Sequence, residues 1–310
     1  MGMSMRSLAC VVCVASILLT AGVAAAQIEG QLSAYTGDNA EGYLQPLADA
    51  IGTDLNGGLF HSAYIPEEDG LHIYLETRVI AVKFSDDDKT FSGVAESGFV
   101  PETAGDLPAT VPTVVGDGDA VVIDGESGTS FAFPGGFDLG SFTIAVPQLR
   151  IGAYKGTEAL VRYFAIDTGD VEIGDLRLYG GGLRHNISQY MPAPFPVDLA
   201  AGFFWQKFEL GDDLISANAF TIGVQASKRF PAGFIYIEPY GGVSYDMFSM
   251  DVNYDYESGD DVEEMALEFE STSTARLTMG LNFAAPVLNL NAEYSIASQN
   301  SFSFGLGFGF

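Results

Sequence analysis

Large apolar residues alternate with small or polar ones along most of this chain, and the alternation continues to its last residue. In residues 301–310 every even position is phenylalanine or leucine, and every odd position is serine or glycine. Successive side chains of a β-strand point to opposite faces of a sheet, so each such segment predicts a strand with one bulky apolar face and one small or polar face. The same alternation is found in residues 215–230, 234–250 and 286–297.

The orientation of the two faces separates a soluble sandwich from a membrane barrel. In a sandwich the apolar face forms the core, whereas in an outer-membrane barrel it meets lipid and the polar face lines the lumen. The polar face here is rich in glycine, alanine and serine, and segments such as 263–284 far exceed the roughly 5–6 residues of an ordinary strand. We therefore predict an all-β transmembrane antiparallel β-barrel, with Phe220, Phe269 and Leu290 facing lipid. The sheet must close, because an open edge would leave backbone groups unpaired in lipid.

The alternation predicts about 12 strands, within a range of 10–14, and bacterial barrels have even numbers. A hairpin within 119–133 would raise the count to 14. With both ends of the chain at the periplasmic side, residues 230–233 and 284–286 become short turns and 98–140 becomes a long external loop. The predicted strands are 59–66, 70–84, 89–97, 141–154, 157–166, 173–187, 196–209, 215–230, 234–250, 263–284, 286–297 and 301–310.

Residues 1–26 have the pattern of a secretory signal peptide. Arg6 precedes an apolar run, and three alanines ending at Ala26 supply small residues for cleavage. Both cysteines, Cys10 and Cys13, lie in this stretch, so the mature chain is expected to fold without disulfides. Together with the barrel, this pattern predicts a location in the bacterial outer membrane.

Residues 27–58 form an N-terminal segment ahead of the barrel, which is predicted to span 59–310. Asp38 and Glu41 resemble a capping box at the start of a short helix that runs to Leu55, and Gly57 provides a stop signal. Two interpretations stay open for this helix. It either packs as a cap on the end of the barrel or enters the lumen as a plug.

Acidic side chains greatly outnumber basic ones, 41 against 13, for a net charge of -28. This balance excludes a protein that binds nucleic acid by neutralising phosphates. The acids are concentrated in the connections, where they either keep the protein soluble or bind Ca²⁺, for which carboxylates are suitable ligands. No calcium-loop spacing is present, and no other cofactor is expected. The candidate metal ligands are Asp255, Glu257, Asp260 and Asp261.

The arginines, by contrast, fall within the predicted strands. An arginine that faces lipid costs roughly 2–4 kcal/mol at the bilayer midplane, so these side chains should face the lumen or lie at the interfaces. Folding the chain back about Ala285 predicts an ion pair between Arg276 and Glu293 in the lumen. Such charges either fill a narrow barrel or form a selectivity ring in a pore. The candidate lumen charges are Glu76, Arg78, Arg177, Arg229, Glu238, Arg276 and Glu293.

An outer-membrane hydrolase is a third possibility that the sequence supports poorly. His185 and Ser188 are the nearest approach to a catalytic pair, but a spacing of three places them on opposite faces of an unbroken strand. No base, nucleophile and orienting group occur together elsewhere in the chain.

Several stretches resemble an uncharacterised bacterial family, a domain of unknown function comprising barrel-like envelope proteins. The stretches are 43–50 (YLQPLADA), 60–63 (FHSA), 145–148 (AVPQ), 156–159 (GTEA), 183–185 (LRH) and 195–206 (FPVDLAAGFFWQ). The chain is more distantly similar to the long-chain fatty-acid transporter type of outer-membrane barrel, although it lacks that family's Asn-Pro-Ala type of N-terminal signature. Strand 301–310 resembles the C-terminal strand through which such barrels engage the barrel-assembly machinery.

Two functions follow as the main hypotheses. The first is a passive channel or a binding protein for a small molecule, which includes hydrophobic ones. The alternative is a structural or surface-interaction barrel with a closed lumen and acidic outer loops. In both, the partners are outer-membrane lipid and the assembly machinery, and the identity of a small ligand is not encoded in any motif.

Overall fold

The architecture comes from a computed structural model. It describes residues 30–309, apart from 60, 67–69, 97, 167–174, 193–194, 212–213, 259–260 and 271–274. The predicted signal peptide therefore lies outside the described residues. Among the residues described, no helix has the length and apolar content needed to cross a bilayer.

Ten antiparallel strands form a closed barrel, at the lower limit of the predicted range. The barrel strands are β1 (His72–Lys83), β6 (Ser141–Tyr154), β7 (Thr157–Ile166), β8 (Leu176–Asn186), β9 (Asp198–Leu210), β10 (Ile215–Ser227), β12 (Ile235–Ser258), β14 (Ala275–Ala284), β15 (Leu288–Ile296) and β16 (Ser301–Gly309). The ring closes because β10 pairs with β12 and the first strand, β1, pairs with the last, β16. Two further strands, β11 (Phe230–Ala232) and β13 (Asp261–Glu270), pair with β12 outside the ring.

The two ends of the barrel differ in their connections. At the turn end, strands are joined by short turns such as 155–156 and 285–287. Two features lie at the loop end. One consists of residues 84–140, here called the insertion. The other is a projection formed by the long strand β12 and its neighbour β13 (Asp261–Glu270).

Two of the twelve predicted barrel strands are wrong, which accounts for the lower count of ten. The described residues of 59–66 form no strand and instead run through the lumen. Segment 89–97 contains only β2 (Thr90–Gly93), which pairs with β3 (Ala109–Pro112) inside the insertion. The hairpin suggested within 119–133 does form, as β4 (Val121–Asp124) and β5 (Ser130–Phe133), but it also belongs to the insertion.

Segment 263–284, predicted as one strand, is divided into β13 and β14. Their facing differs as well: Phe269 of β13 is buried in the core, whereas Leu277 of β14 is exposed. The prediction that Phe269 faces lipid is therefore wrong. A single alternating pattern cannot reveal that β13 and β14 present the same parity to opposite faces.

The large apolar residues of β14, β15 and β16 nevertheless point outward, as predicted, whereas near the loop end other strands also carry large apolar residues on their inner face. Phe302, Phe304 and Phe308 are each about half exposed, whereas the alternating residues Ser301 and Ser303 are buried. Phe220 and Leu290 are likewise on the outer face and only half-buried. A soluble sandwich would show the opposite arrangement.

The interior is filled by the N-terminal segment. Helix α1 (Gly37–Asn56) lies inside the barrel, with 14 of its 20 residues buried and with contacts to β1, β6, β10 and β12. Residues 57–66 continue through the lumen to the turn end, where Asn186 donates a hydrogen bond to the Ile65 carbonyl. We call residues 30–66 the plug. Of the two interpretations of the helix, its position corresponds to the second.

The plug runs from the loop end to the turn end. Tyr35, just before the helix, packs on Phe91 and Phe133 of the insertion, and the hydroxyl of Tyr254 in the projection donates to its carbonyl. The expectation that both ends of the chain lie at the side of the short turns is therefore wrong for residues 30–36.

The interior has an apolar half and a polar half. Toward the loop end, α1 packs on inward residues such as Ile80, Phe208 and Met250. Toward the turn end, the wall is lined by buried charged and amide side chains, including Glu76 and Arg184. The plug therefore supplies about a third of the buried apolar residues of this core, and the wall, the insertion and the projection supply the rest.

Adding a methyl group at either of two neighbouring glycines of β8 would test how closely the wall strands approach one another. A Cβ on the inward Gly182 would overlap the carbonyl oxygen of Phe203, whereas the nearest atom to a Cβ on Gly181 would be the Leu160 oxygen at 3.7 Å. We expect Gly182→Ala to lower the free energy of unfolding by about 1–3 kcal/mol, because the clash involves backbone. Gly181→Ala, the matched control, should leave it nearly unchanged. Urea titrations of the folded protein in detergent would measure both, and equal midpoints would contradict the predicted strand spacing.

Candidate functional site

The start of helix α1 is bound by an acid from the insertion. Glu96 accepts hydrogen bonds from the Thr36 amide at 3.1 Å and the Asn39 side chain at 2.7 Å, and also from the Thr36 hydroxyl. A negative charge at this position pairs with orphan amide groups and with the positive end of the helix dipole. The predicted capping box of Asp38 and Glu41 does not form; Thr36 is the N-cap residue, and the capping carboxylate comes from a distant segment.

The end of the helix is bound by side chains of the barrel wall. Arg162 of β7 donates to the carbonyls of Leu55 at 3.1 Å and Gly57 at 2.9 Å, and Arg276 of β14 donates to Thr53 at 3.0 Å. Gln206 of β9 also donates to Leu55. The last carbonyls of a helix have no partner within it, and cations are favourable there. Both ends of α1 are thus held by opposite charges.

Below the helix, a chain of alternating charges crosses the wall. Arg150 lies 2.6 Å from Glu76 and 3.3 Å from Glu158, and Arg184 donates to Glu158 at 2.7 Å. All four side chains are buried. Arg184 also donates to the Ser62 carbonyl, so the charge chain is bonded to the plug. Buried charges persist only when paired in this way.

A second network joins the plug to the opposite wall. Glu238 accepts from the hydroxyls of Ser62 at 2.5 Å and Ser227 at 2.6 Å, from the Asn282 amide at 3.2 Å and from Arg229 at 3.3 Å. Its carboxylate is fully buried and has several donors, an arrangement that compensates for its removal from water.

Most of the predicted lumen charges do line the lumen. Glu76, Arg78, Glu238, Arg276 and Glu293 are buried there. Arg229 lies at the turn-end mouth and its side chain is 29% exposed.

Arg177 does not line the lumen, and its prediction is wrong. It is the second residue of β8, lies on the outer face near the loop end, and pairs with Asp175 at 2.6 Å. The even-numbered residues of β8 face the lumen. Alternation along the strand therefore puts Arg184 on the inner face and Arg177 on the outer face.

The predicted ion pair between Arg276 and Glu293 is also wrong. The turn after β14 is centred on 286–287, and Glu293 pairs with Gly280, four residues along from Arg276. Arg276 bonds to Asp246 at 2.6 Å instead, and Glu293 accepts from the Tyr240 hydroxyl and the Gly58 amide. Both side chains do face the lumen, as predicted, but the predicted centre of the turn lies two residues too early in the chain.

Two acids of the lumen networks, Glu158 and Asp246, were not predicted, although each lies an even number of positions along its strand from another inward charge. Three buried arginines were covered only by the general expectation for strand arginines and were not among the named candidates. They are Arg150, Arg162 and Arg184.

Two titratable groups of the plug are perturbed by their surroundings. Burial raises the pKa of Asp54 well above its ordinary value, while Arg276 and Arg162 oppose that shift. Neither of its carboxylate oxygens has a hydrogen-bond partner within the described residues. Burial also lowers the pKa of His61 well below its ordinary value, and the nearby Arg150 and Arg78 add to this effect. His61 is therefore neutral, and its Nδ1 accepts from Arg78 at 2.7 Å.

The candidate metal ligands do not form a recognisable centre in the part of the chain that the structure describes. No group of three or more His, Cys, Asp or Glu side chains is placed there to hold a metal ion. Asp255 is exposed on β12, and Glu257 and Asp261 belong to β12 and β13. Asp260 lies outside the described residues, so calcium binding stays a prediction.

Within the described part of the chain, His185 and Ser188 bond to different partners and not to each other. The imidazole bonds to the Thr157 hydroxyl at 2.8 Å and the Tyr190 hydroxyl at 3.0 Å. The Ser188 hydroxyl donates to Asn186 at 2.5 Å.

The unpartnered carboxylate of Asp54 generates a testable prediction. A buried acid whose pKa is raised in the folded state destabilises the fold as pH rises above the pKa it has in the unfolded chain. The unfolded chain gains free energy by ionising, whereas the folded protein must either keep the proton or bury the charge. Asp54→Asn should therefore raise the free energy of unfolding at pH 7 by about 1–3 kcal/mol. The difference should vanish near pH 3, where both side chains are neutral. The exposed Asp38→Asn on the same helix is the control, and a less stable Asp54→Asn protein at pH 7 would contradict the assignment.

Comparison with known proteins gives the fold a context. The outer-membrane protease OmpT of Escherichia coli is similar over 80% of this chain and 98% of its own, with 6% identity and a TM-score of 0.34. The β domain of the Bordetella autotransporter BrkA matches over 78% of this chain and all of its own, with 11% identity and a TM-score of 0.30. For Ail of Yersinia pestis the coverage is 78% and 100%, with 11% identity and a TM-score of 0.25.

These likenesses concern the barrel fold alone. No relative with a curated description matches the sequence. The sequence profile of one family, described as a family of unknown function (DUF6588), matches residues 5–310. The chain therefore belongs to the DUF6588 family.

Proposed function

We propose that this protein is an outer-membrane barrel whose lumen is closed by its own N-terminal plug, and that it acts at the cell surface through its acidic loop end. The observation that carries the proposal is the binding of α1 at both ends, by Glu96 of the insertion and by Arg162 and Arg276 of the wall. A lumen closed in this way favours a structural or surface-interaction role over a passive channel.

The outer surface supports insertion into a bilayer. A transmembrane β-strand needs about 9–11 residues. Strands β14, β15 and β16 have 10, 9 and 9 residues, and their outward residues are almost all large and apolar. A continuous apolar belt of this size around a soluble barrel would aggregate.

The interior supports closure. The apolar half of the lumen is occupied by α1, and the polar half holds charge pairs between neighbouring wall strands that are bonded to the plug. A barrel of ten strands lies close to the size at which side chains alone fill the interior. An open pore would require breaking the buried hydrogen bonds that Arg162, Arg184 and Arg276 donate to the plug, which is unfavourable.

The loop end supplies the surface that such a barrel would present. It combines the insertion with the projection of β12 and β13, in which Asp255, Glu264 and Glu268 are exposed. Acidic side chains beside anionic lipid headgroups repel unless cations bridge them, so this surface favours contact with cations or basic partners. In this proposal the loop end is extracellular and the turn end periplasmic.

The sole tryptophan provides a direct test of membrane insertion. Trp205 faces outward near the middle of β9, beside the inward and buried Phe204. In vesicles whose acyl chains carry bromine, we expect strong quenching of Trp205 fluorescence, because the indole contacts the chains. Moving the indole inward, with Trp205→Phe and Phe204→Trp together, should abolish most of the quenching. Recovery of the wild-type protein from cells in a form that is soluble without detergent would contradict membrane insertion.

Closure of the lumen can be tested by conductance. In planar bilayers the wild-type barrel should pass no steady current. Replacing Arg162 and Arg276 together by alanine removes hydrogen bonds worth about 1–3 kcal/mol each from the end of α1, so transient openings should become frequent. Arg177→Ala, on the outer face, is the control and should behave as wild type. A large steady current through the wild-type protein would contradict a closed lumen.

A further inference from the structure

A cavity remains at the turn end of the lumen, between the plug and the wall. Its volume is about 250 Å³, and it opens toward the turn end beside β1, β6 and β15. Donor groups predominate in its lining, which includes Arg150, Arg229, Ser62 and Asn289. The cavity is large enough for a small polar molecule together with water.

Arg229 is presented to this cavity as a rigid guanidinium. Its Nε donates to Glu238 at 3.3 Å, which leaves the two terminal nitrogens without a hydrogen bond among the described residues. The guanidinium lies 3.8 Å from the centre of the Tyr64 ring and 5.2 Å from that of Tyr236. Stacking on aromatic rings fixes the plane of a guanidinium while leaving its edge available for bidentate bonding.

The surroundings of the cavity favour a negative charge. The one acid in its lining, Glu158, is already bonded to Arg150 and Arg184. Four arginines, Arg150, Arg78, Arg184 and Arg229, act together on His61 at the base of the cavity, and their field contributes to the lowered pKa of this neutral imidazole. Three buried acids, Glu76, Glu158 and Glu238, are bonded to these four arginines, so the group has an excess of one positive charge in a chain whose net charge is -28.

We propose that the turn-end cavity is a binding site for a small oxyanion, of the phosphate or carboxylate type, held by the terminal nitrogens of Arg229. The fork of two N–H groups matches two oxygens of either anion, and the Asn289 amide lies in the same lining as a further polar group. The Ser62 hydroxyl, also in the lining, is already bonded to Glu238. The site goes beyond the proposed surface role, and it would exist whether or not the loop end has a partner.

Calorimetry on the folded barrel in detergent tests the site, with inorganic phosphate and acetate as separate probes at constant ionic strength. Saturable binding of at least one anion to the wild-type protein is expected. Arg229→Gln should weaken that binding at least about tenfold, because a charged hydrogen bond is lost. Arg229→Lys keeps the charge without the fork and should give an intermediate affinity. Arg177→Gln, which alters an exposed arginine at the other end of the barrel, should bind as wild type.

A gel-mobility shift on boiling would establish that each variant is folded before binding is compared. The proposal is overturned if neither anion binds the wild-type protein. It is also overturned if Arg229→Gln binds as tightly as wild type, or if Arg177→Gln weakens binding as much, because the effect would then be one of overall charge. Phosphate and acetate together distinguish the two anion types, since preference for one identifies the class of ligand.

Discussion

The structure depends on the requirement that arginines inside a closed barrel find acceptors. Arg162 and Arg276 are buried in a lumen filled by the plug, and they bond to the last carbonyls of a helix that would otherwise end without partners. Each side thus satisfies the other: the wall completes the hydrogen bonding of α1, and α1 compensates for burial of the cations. Neither element is satisfied without the other, so the plug is a part of the fold.

The same reciprocity explains why the interior is divided into two halves. Ile80, Phe208 and Met250 face inward toward the loop end and would be exposed in an empty barrel. They are buried only because the apolar face of α1 covers them. Toward the turn end the plug is an irregular segment, with amide and carbonyl groups that belong to no helix or strand among the described residues. There the wall offers charged, hydroxyl and amide side chains as partners instead. The composition of the wall therefore follows the type of backbone that it contacts.

Much of the barrel could be predicted from the sequence, because alternation reports the facing of each strand directly. Ser301 and Phe302, for example, lie on opposite faces as their positions require. The register between neighbouring strands was harder to predict from the sequence. The turn after β14 is centred two residues further along the chain than predicted, so Arg276 does not lie opposite Glu293. The capping of α1 by Glu96 was inaccessible, because it joins residues 60 positions apart through the insertion. The strand content of 59–66 was misjudged because a coil bonded to a polar wall shows the same mixture of residues as a short strand.

The route of the plug has a consequence for how the molecule can be assembled. Residues 36–66 pass along the axis from one mouth to the other, and the chain then re-enters the wall as β1, whose partner in the ring is the final strand, β16. If the barrel closed first, the plug would have to pass through the lumen and past the buried charge pairs of the polar half. We expect the sheet instead to curl around a helix that is already in place, so that the seam between β1 and β16 is sealed last.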